Sequence, residues 1–215
     1  MYTLVIGNKN YSSWSLRAWL LLTQFGITFD EVRIPLHTEE FKQKILQFSP
    51  TGLVPTLHSG DLKIWDSLAI CEYIADSHPD LGCWPEDIEA RALARSVSCE
   101  MHSGFFQVRN WLPMNCGRKK AVDTITPELK KDIDRICAIW RSCRQSYADH
   151  GEFLFGKFSI ADAMYAPVVL RFSSYLIEVG ELESHYMQAM LSLQSFQNWI
   201  DAAVAEEEII DQYES

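Results

Sequence analysis

The spacing of apolar and polar residues changes character along the chain. In the first part, short apolar runs typical of strands alternate with segments whose apolar residues recur at helical spacing. Gly26 follows one helical segment as a helix-terminating residue, and Ser59-Gly60-Asp61 separates two short strands as a hairpin turn does. The predicted elements are strand, helix, strand, helix, strand, strand and helix, over residues 2–6, 16–25, 28–34, 39–48, 53–58, 62–65 and 67–77. This order predicts a parallel β-α-β unit followed by a hairpin on a four-stranded sheet.

From residue 86 onward the pattern is helical throughout. The predicted helices cover residues 88–111, 127–149, 159–175, 183–191 and 195–205. The change falls at residues 78–85, which are rich in turn-forming residues. The fold class is therefore predicted as α/β plus all-α, with one domain over residues 1–80, a linker over 81–86 and a helical bundle over 87–215.

Composition narrows the possible functions. Hydrophobic residues make up 47% of the chain and charged residues 22%, the balance of an ordinary globular protein. With 19 Lys and Arg against 29 Asp and Glu, the net charge of −10 argues against nucleic-acid binding. The densest basic cluster, Arg118 with Lys119 and Lys120, is predicted to be a solvated helix end, and so is the acidic run Glu206 to Glu208.

The six cysteines are scattered, without a C-x-x-C pair or a metal-ligand cluster. The chain also shows no export signal and no apolar stretch long enough to span a bilayer. We therefore expect reduced thiols, a cytoplasmic protein, no membrane partner and no bound metal.

Two short motifs could bind a ligand. In Val54-Pro55-Thr56-Leu57, a cis bond before Pro55 would let the Val54 backbone pair with a peptide-like ligand, although proline is also common at strand edges. Asp66-Ser67 precedes the helix over residues 67–77, as a cap does. The same helix start could also bind a ligand carboxylate, with Asp66 pairing with a ligand ammonium group.

A third motif is the loop Asn10-Tyr11-Ser12-Ser13-Trp14-Ser15, which follows the first strand. It carries more hydroxyl groups than one helix cap needs, and it lies at the strand edge where open α/β sheets bind ligands. In contrast, Ser159-Ile160-Ala161-Asp162 has the spacing of a capping box and is predicted to be purely structural.

Taken in this order, the motifs resemble the cytosolic glutathione transferase family. The resemblance covers nearly the whole chain, and the run from Ser12 to Arg17 is most similar to the zeta, theta and delta classes, which activate glutathione with a serine. It implies a thioredoxin-like N-terminal domain that binds glutathione as co-substrate, and a helical domain that shapes a pocket for a small hydrophobic electrophile. It also implies a homodimer.

The resemblance implies roles by position. Val54, with Pro55 in cis, would pair with the cysteinyl unit of glutathione, and Asp66 and Ser67 would hold its γ-glutamyl end. We expect Ser13 to donate a hydrogen bond to the sulfur, with Ser12 as the alternative.

Two departures from the family pattern limit these implications. Leu53 stands where many relatives carry a polar residue against the glycyl carboxylate, which leaves Lys42 or His37 for that charge. Trp14 stands where zeta-class isomerases have cysteine, and no cysteine precedes Cys71, which argues against thiol exchange. The second-substrate pocket is expected between the loop and the first long helix of the second domain, from Tyr11, Trp14, Met101, Phe105, Phe106, Arg109 and Trp111.

The predicted chemistry is attack by the glutathione thiolate on an electrophile. Isomerisation, dehalogenation and peroxide reduction use the same thiolate and remain open. A non-catalytic binding or assembly module is the competing class, because a fold alone does not establish an enzyme.

Overall fold

The computed structural model describes residues 1–214. Its strands are β1 (Tyr2–Ile6), β2 (Phe29–Arg33), β3 (Thr56–Ser59) and β4 (Leu62–Trp65). Its helices are α1 (Ser13–Gln24), α2 (Glu39–Phe48), α3 (Ser67–Ser77), α4 (Ile88–Ser103), α5 (Phe106–Trp111), α6 (Pro127–Tyr147), α7 (Ile160–Ser174), α8 (Glu181–Leu191) and α9 (Gln194–Val204). The order matches the sequence prediction, with a thioredoxin-like first part and a mostly helical second part.

The four strands form one sheet in the order β2-β1-β3-β4. β1 and β2 are parallel, with Tyr2 opposite Phe29, whereas β3 is antiparallel to both β1 and β4. The hairpin turn between β3 and β4 contains Gly60 at φ +60°, a conformation that glycine adopts without strain. The parallel β-α-β unit and the hairpin are therefore both as predicted.

Helix α1 begins earlier than the apolar pattern predicts. Ser12 is its N-cap and accepts a hydrogen bond from the Ser15 N–H, so the polar residues Ser13 and Ser15 belong to the first turn. Apolar periodicity starts only at Leu16, which is why the pattern misses this turn. The end is as predicted, because Gly26 follows the helix at φ +68°.

The segment 88–111, predicted as one helix, is divided into α4 and α5. The break falls at Gly104 and Phe105, and Phe105 has left-handed backbone at φ +58°. A β-carbon on Gly104 would lie 2.8 Å from the carbonyl oxygen of Glu100, so glycine is required where the chain turns away. The prediction of a single helix was wrong because its apolar spacing continues across the break.

The core joins the two parts of the chain. Helix α1 packs against α3, α7 and α9, and α7 is buried on nearly all sides. The capping box at the start of α7 is confirmed: Asp162 accepts from the Ser159 N–H at 2.9 Å and also from the Leu154 N–H at 3.0 Å. Burial raises the pKa of the Asp162 carboxyl to about 6.

Candidate functional site

A cavity of about 560 Å³, here called the inner chamber, lies where the N-terminal part meets α5 and the C-terminal segment. The serine loop, the loop before α2 and the Val54 segment line one side. Arg109 and Asn110 of α5, Arg171 of α7 and Tyr213 line the other. The inner chamber therefore lies at the carboxyl end of β1, where ligands of open α/β folds bind.

The two candidate serines differ in their hydrogen bonding. Ser12 Oγ donates to Ser15 Oγ at 2.7 Å and accepts from the Ser15 N–H at 3.4 Å. Ser15 Oγ in turn accepts from the Gly7 N–H at 3.2 Å. Ser13 Oγ has no partner among residues 1–214, and Ser13 lines the inner chamber from the first turn of α1. A hydroxyl has one proton to donate, so Ser13 can donate to a ligand while the proton of Ser12 is occupied.

The Val54 segment presents an unpaired backbone to the same chamber. The Val54–Pro55 peptide bond is cis, as expected, and Val54 lines the chamber. Within residues 1–214, neither the N–H nor the C=O of Val54 makes a hydrogen bond. Unpaired backbone groups next to a strand are suited to pairing with an extended peptide.

Asp66 and Ser67 stand at the start of α3. Asp66 has left-handed backbone at φ +75°, and its Oδ1 accepts hydrogen bonds from the Leu68 and Ala69 N–H groups. Its Oδ2 contacts His102 Nε2 of α4 at 2.6 Å. The Ser67 hydroxyl is buried without a partner in the described part of the chain. No sequence pattern predicts the contact between Asp66 and His102, because the two residues belong to different parts of the chain.

Trp14 connects this region with two arginines, the buried Arg17 and the half-buried Arg109. Its indole ring packs edge-on against His102 at 5.4 Å, and the guanidinium groups of Arg17 and Arg109 lie 4.4 Å and 4.9 Å from its ring centre. Arg17 is 1% exposed, and two of its guanidinium nitrogens have no acceptor among residues 1–214. Desolvation, with Arg109 and Arg171 nearby, lowers the pKa of Arg17 to about 9.

The cavity brings together part of the predicted set. Tyr11, Ser12, Ser13, Trp14, Lys42, Val54 and Arg109 all line the inner chamber, and so does His37. Lys42 is exposed and pairs with Glu39 at 2.6 Å. Met101 and Phe105 are buried in the hydrophobic core instead, and neither lines the chamber. Met101 lies on the buried side of α4, and Phe105 lies at the turn between α4 and α5.

The C-terminal segment, residues 205–214, supplies contacts that the sequence did not predict. Glu206 is not solvated, because its carboxylate accepts from the Lys9 N–H at 2.8 Å and the Asn10 N–H at 3.1 Å, and its side chain is 8% exposed. This corrects the expectation of a solvated acidic helix end. Tyr11 donates its hydroxyl proton to Glu214 Oε1 at 2.6 Å, and the Tyr213 ring lies 5.6 Å from that of Tyr11. The segment therefore fixes the serine loop and closes one wall of the chamber.

The six cysteines are free, and five of them are buried. Among the described residues no group of His, Cys, Asp or Glu has the arrangement of a metal site. None of the helices in residues 1–214 combines the length and apolar character needed to cross a bilayer.

Comparison with known proteins agrees with this geometry. The family described as "Glutathione S-transferase, N-terminal domain" matches residues 11–77. A probable maleylacetoacetate isomerase from Caenorhabditis elegans is 33% identical over 112 residues, 52% of this chain and 51% of the relative. The match therefore spans about half the length of that relative. The maleylacetoacetate isomerase of Rattus norvegicus is 28% identical over 195 residues, 88% of this chain and 87% of the relative.

Solved structures share the fold. A glutathione transferase homologue from Burkholderia gl BGR1, with bound glutathione, aligns with a TM-score of 0.72 at 21% identity, covering 95% of this chain and 99% of that one. A glutathione S-transferase from the Antarctic clam Laternula elliptica aligns with a TM-score of 0.69 at 23% identity, covering 96% and 95%. A thioredoxin-like domain followed by a mostly helical part is thus the fold that this chain shares with these glutathione transferases. By the family match, residues 11–77 form a glutathione S-transferase N-terminal domain.

Proposed function

We propose that the protein is a glutathione transferase in which Ser13 stabilises the thiolate of bound glutathione. The observation that carries this proposal is the Ser13 hydroxyl, which lines the inner chamber without a partner while Ser12 is bonded to Ser15. The first turn of α1 also directs the positive end of its dipole towards the chamber. Ser13 remains protonated and acts as a hydrogen-bond donor, so the nucleophile is the glutathione sulfur.

The required stabilisation is within reach of these groups. A free thiol with a pKa of about 8.5 is only about 3% ionised at pH 7, and lowering the pKa by about two units ionises roughly three quarters, which requires about 2.7 kcal/mol. A hydrogen bond from Ser13 to a charged sulfur contributes about 1.5–3 kcal/mol. Among the described residues that line the inner chamber, Lys42, Arg109 and Arg171 are cationic and none is Asp or Glu. This charge balance further favours the thiolate.

The remaining glutathione contacts follow from the unpaired groups. Val54 would pair through its free N–H and C=O with the cysteinyl unit, since both lack partners within residues 1–214. Asp66 and the unpartnered Ser67 hydroxyl would hold the γ-glutamyl end. Lys42 and His37 line the chamber on the side where the glycyl carboxylate would lie.

The second substrate would lie beside Trp14, Arg109 and Tyr213. The aromatic walls suit an apolar electrophile, and the nearby cations would stabilise negative charge that develops during attack. A second candidate function is glutathione-dependent isomerisation, because relatives from nematode and rat are named maleylacetoacetate isomerase. Trp14 in place of the expected cysteine favours conjugation over isomerisation.

The deciding experiment has a binding step and a turnover step. Calorimetry with glutathione tests the binding site, and conjugation of chlorodinitrobenzene and conversion of maleylacetoacetate then separate the two reactions. We expect binding followed by conjugation. Binding without turnover of either electrophile would instead indicate a binding or assembly module, and no binding would refute the assignment.

We also propose that the unit 1–80 binds glutathione, that 81–86 links it to the helical unit 87–215, and that the protein is a cytoplasmic homodimer. Ser215 lies outside the described residues. The six free cysteines agree with a reducing compartment. Exposed Leu62 and Trp65 on the edge strand β4 offer apolar surface for a second subunit. Light scattering after size-exclusion chromatography measures the oligomeric state.

A further inference from the structure

A second cavity of about 750 Å³, here called the outer chamber, adjoins the inner one. The two share Arg109, Asn110, Pro113 and Tyr213, so they meet at the Tyr213 side chain. The outer chamber lies between the C-terminal segment and the loop that joins α5 to α6. A molecule that reaches past Tyr213 would therefore have one end near Ser13 and the other in this loop.

The outer chamber is basic although the chain carries a net charge of −10. Arg118 and Lys120 line it together with Arg109, and Asp123 is the one carboxylate among its described lining residues. Arg118, Lys119 and Lys120 lie in the α5–α6 loop and not at the predicted helix end; Lys119 and Lys120 are exposed, as predicted, whereas Arg118 is half-buried. The Glu214 carboxylate forms no ion pair with Arg118; its Oε1 accepts from Tyr11 and from Asn115 Nδ2 at 2.9 Å.

Arg118 is held in place and has unused donor capacity. One guanidinium nitrogen donates to the Glu214 carbonyl at 2.9 Å, and the group lies 4.9 Å from the ring centre of Tyr175. Its Nε is buried and has no acceptor among residues 1–214. The Lys120 N–H donates to the Ser174 carbonyl at 3.0 Å, which fixes the backbone of the loop beside α7, and its ammonium group is in no ion pair within the same residues. A held guanidinium with an unpaired N–H, beside an exposed ammonium group that is in no ion pair within residues 1–214, is suited to binding an anion.

We propose that the outer chamber binds a carboxylate or similar anionic group at the far end of an elongated electrophile whose reacting end lies beside Ser13. The inference rests on the proposed function for the reacting end. Arg118 and Lys120 bind the distal anionic group, and Tyr213 packs against the middle part of the substrate, which passes from one chamber to the other. Substrates of this class are thus anionic at the end that does not react.

A matched pair of electrophiles tests the charge directly. Both are amides of chloronitrobenzoic acid with a four-carbon chain on the amide nitrogen. In one amide the chain is butyl and ends in a methyl group. In the other it comes from aminobutyrate, and a carboxylate stands in place of that methyl group. We expect the wild-type KM to be lower for the carboxylate amide. Arg118→Gln and Lys120→Gln should each raise that KM about five- to tenfold and leave the KM of the neutral amide unchanged.

The chain offers two controls. Lys119→Gln removes an adjacent positive charge that is directed to Ser173 at 2.8 Å and does not line the chamber, so the carboxylate amide should keep its KM. Asp123→Asn removes the acidic lining residue and should lower that KM. Equal changes for both amides in Arg118→Gln would show that the variant only loosens the C-terminal segment, and would overturn the proposal.

A binding measurement separates this inference from the proposed function. If wild type turns over neither these amides nor the electrophiles of the deciding experiment, the transferase assignment fails, and calorimetry with the unreacted carboxylate amide still reports on the outer chamber. Tighter binding of the carboxylate amide than of the neutral one, lost in Arg118→Gln, would support the anion site. Equal affinity of the two amides would refute it, whether or not the enzyme is active.

Discussion

Ser13→Ala removes a hydroxyl that lines the inner chamber and has no partner among residues 1–214. If this hydroxyl donates to the bound sulfur, its loss costs about 1.5–3 kcal/mol of thiolate stabilisation, which raises the pKa of the bound thiol by about one to two units. From a starting pKa of about 6.5, the ionised fraction at pH 7 falls from about three quarters to between about a quarter and 3%. We therefore expect turnover at neutral pH to fall about three- to twenty-five-fold.

The assay is a pH titration of the ultraviolet thiolate absorbance of bound glutathione, with turnover measured on the same samples. Because the loss comes from ionisation, turnover of Ser13→Ala should recover as the pH approaches the new pKa. The KM for glutathione should change little, since the backbone and γ-glutamyl contacts remain.

Ser12→Ala is the matched control. Ser12 caps α1 and its proton is bonded to Ser15 at 2.7 Å, so its loss should lower stability by about 0.5–2 kcal/mol without moving the thiol pKa. If Ser12→Ala raises the thiol pKa and Ser13→Ala does not, the assignment of roles to the two serines is wrong.

Three further predictions concern other parts of the structure. His102→Gln removes the contact that orients Asp66, so the KM for glutathione should rise about three- to tenfold. An analogue of glutathione without the γ-glutamyl amino group should bind wild type and variant equally. An equal loss of affinity for both ligands would contradict a role of this contact at the ammonium group. Burial raises the pKa of Asp162 from 3.8 to about 6, so its contribution to the free energy of unfolding is full below pH 4 and is lost as the pH rises through 6. Urea unfolding should show the stability difference between wild type and Asp162→Asn changing by about 3 kcal/mol across that range, and a constant difference would refute the raised pKa. Cys99 is exposed, whereas burial raises the pKa of Cys83 and Cys137 to about 11. Iodoacetamide at neutral pH should therefore modify the native protein at Cys99 alone, and mass spectrometry would reveal any second site.

The sequence predicted the sheet and its helices well where turn residues mark the ends. The bounds of α2, β4 and α3 are those expected, because Pro35, Gly60 and the Asp66 cap leave little freedom for the local pattern. The start of α1 was missed because capping by Ser12 draws polar residues into a helix whose apolar spacing begins only at Leu16. Local patterns therefore define elements better than they define the caps that extend them.

The candidate site was predicted mainly in its N-terminal half, and Arg109 is the predicted residue of the helical part that lines the inner chamber. The serine loop and Val54 carry short motifs, whereas Tyr213 and Arg171 reach the chamber through the folding of distant segments. Glu206 shows the reason. A charged side chain next to other acids is predicted to be solvated, yet Glu206 accepts hydrogen bonds from the N–H groups of Lys9 and Asn10, nearly 200 positions away in the chain. Contacts of that kind depend on the packed arrangement of the helices and leave no periodic trace in the sequence.

Helix α1 has two roles. Its first turn carries Ser13, and its buried side binds α7 through the hydrogen bond that Arg17 Nε donates to the Met164 carbonyl. The same helix therefore positions the Ser13 hydroxyl and joins the N-terminal part of the chain to the helical part. Within residues 1–214, Arg118 and Lys120 donate to neither α1 nor the serine loop, whereas Glu206 and Glu214 hold that loop. Substitutions at Arg118 and Lys120 can therefore alter substrate preference while the proposed means of ionising the sulfur stays the same.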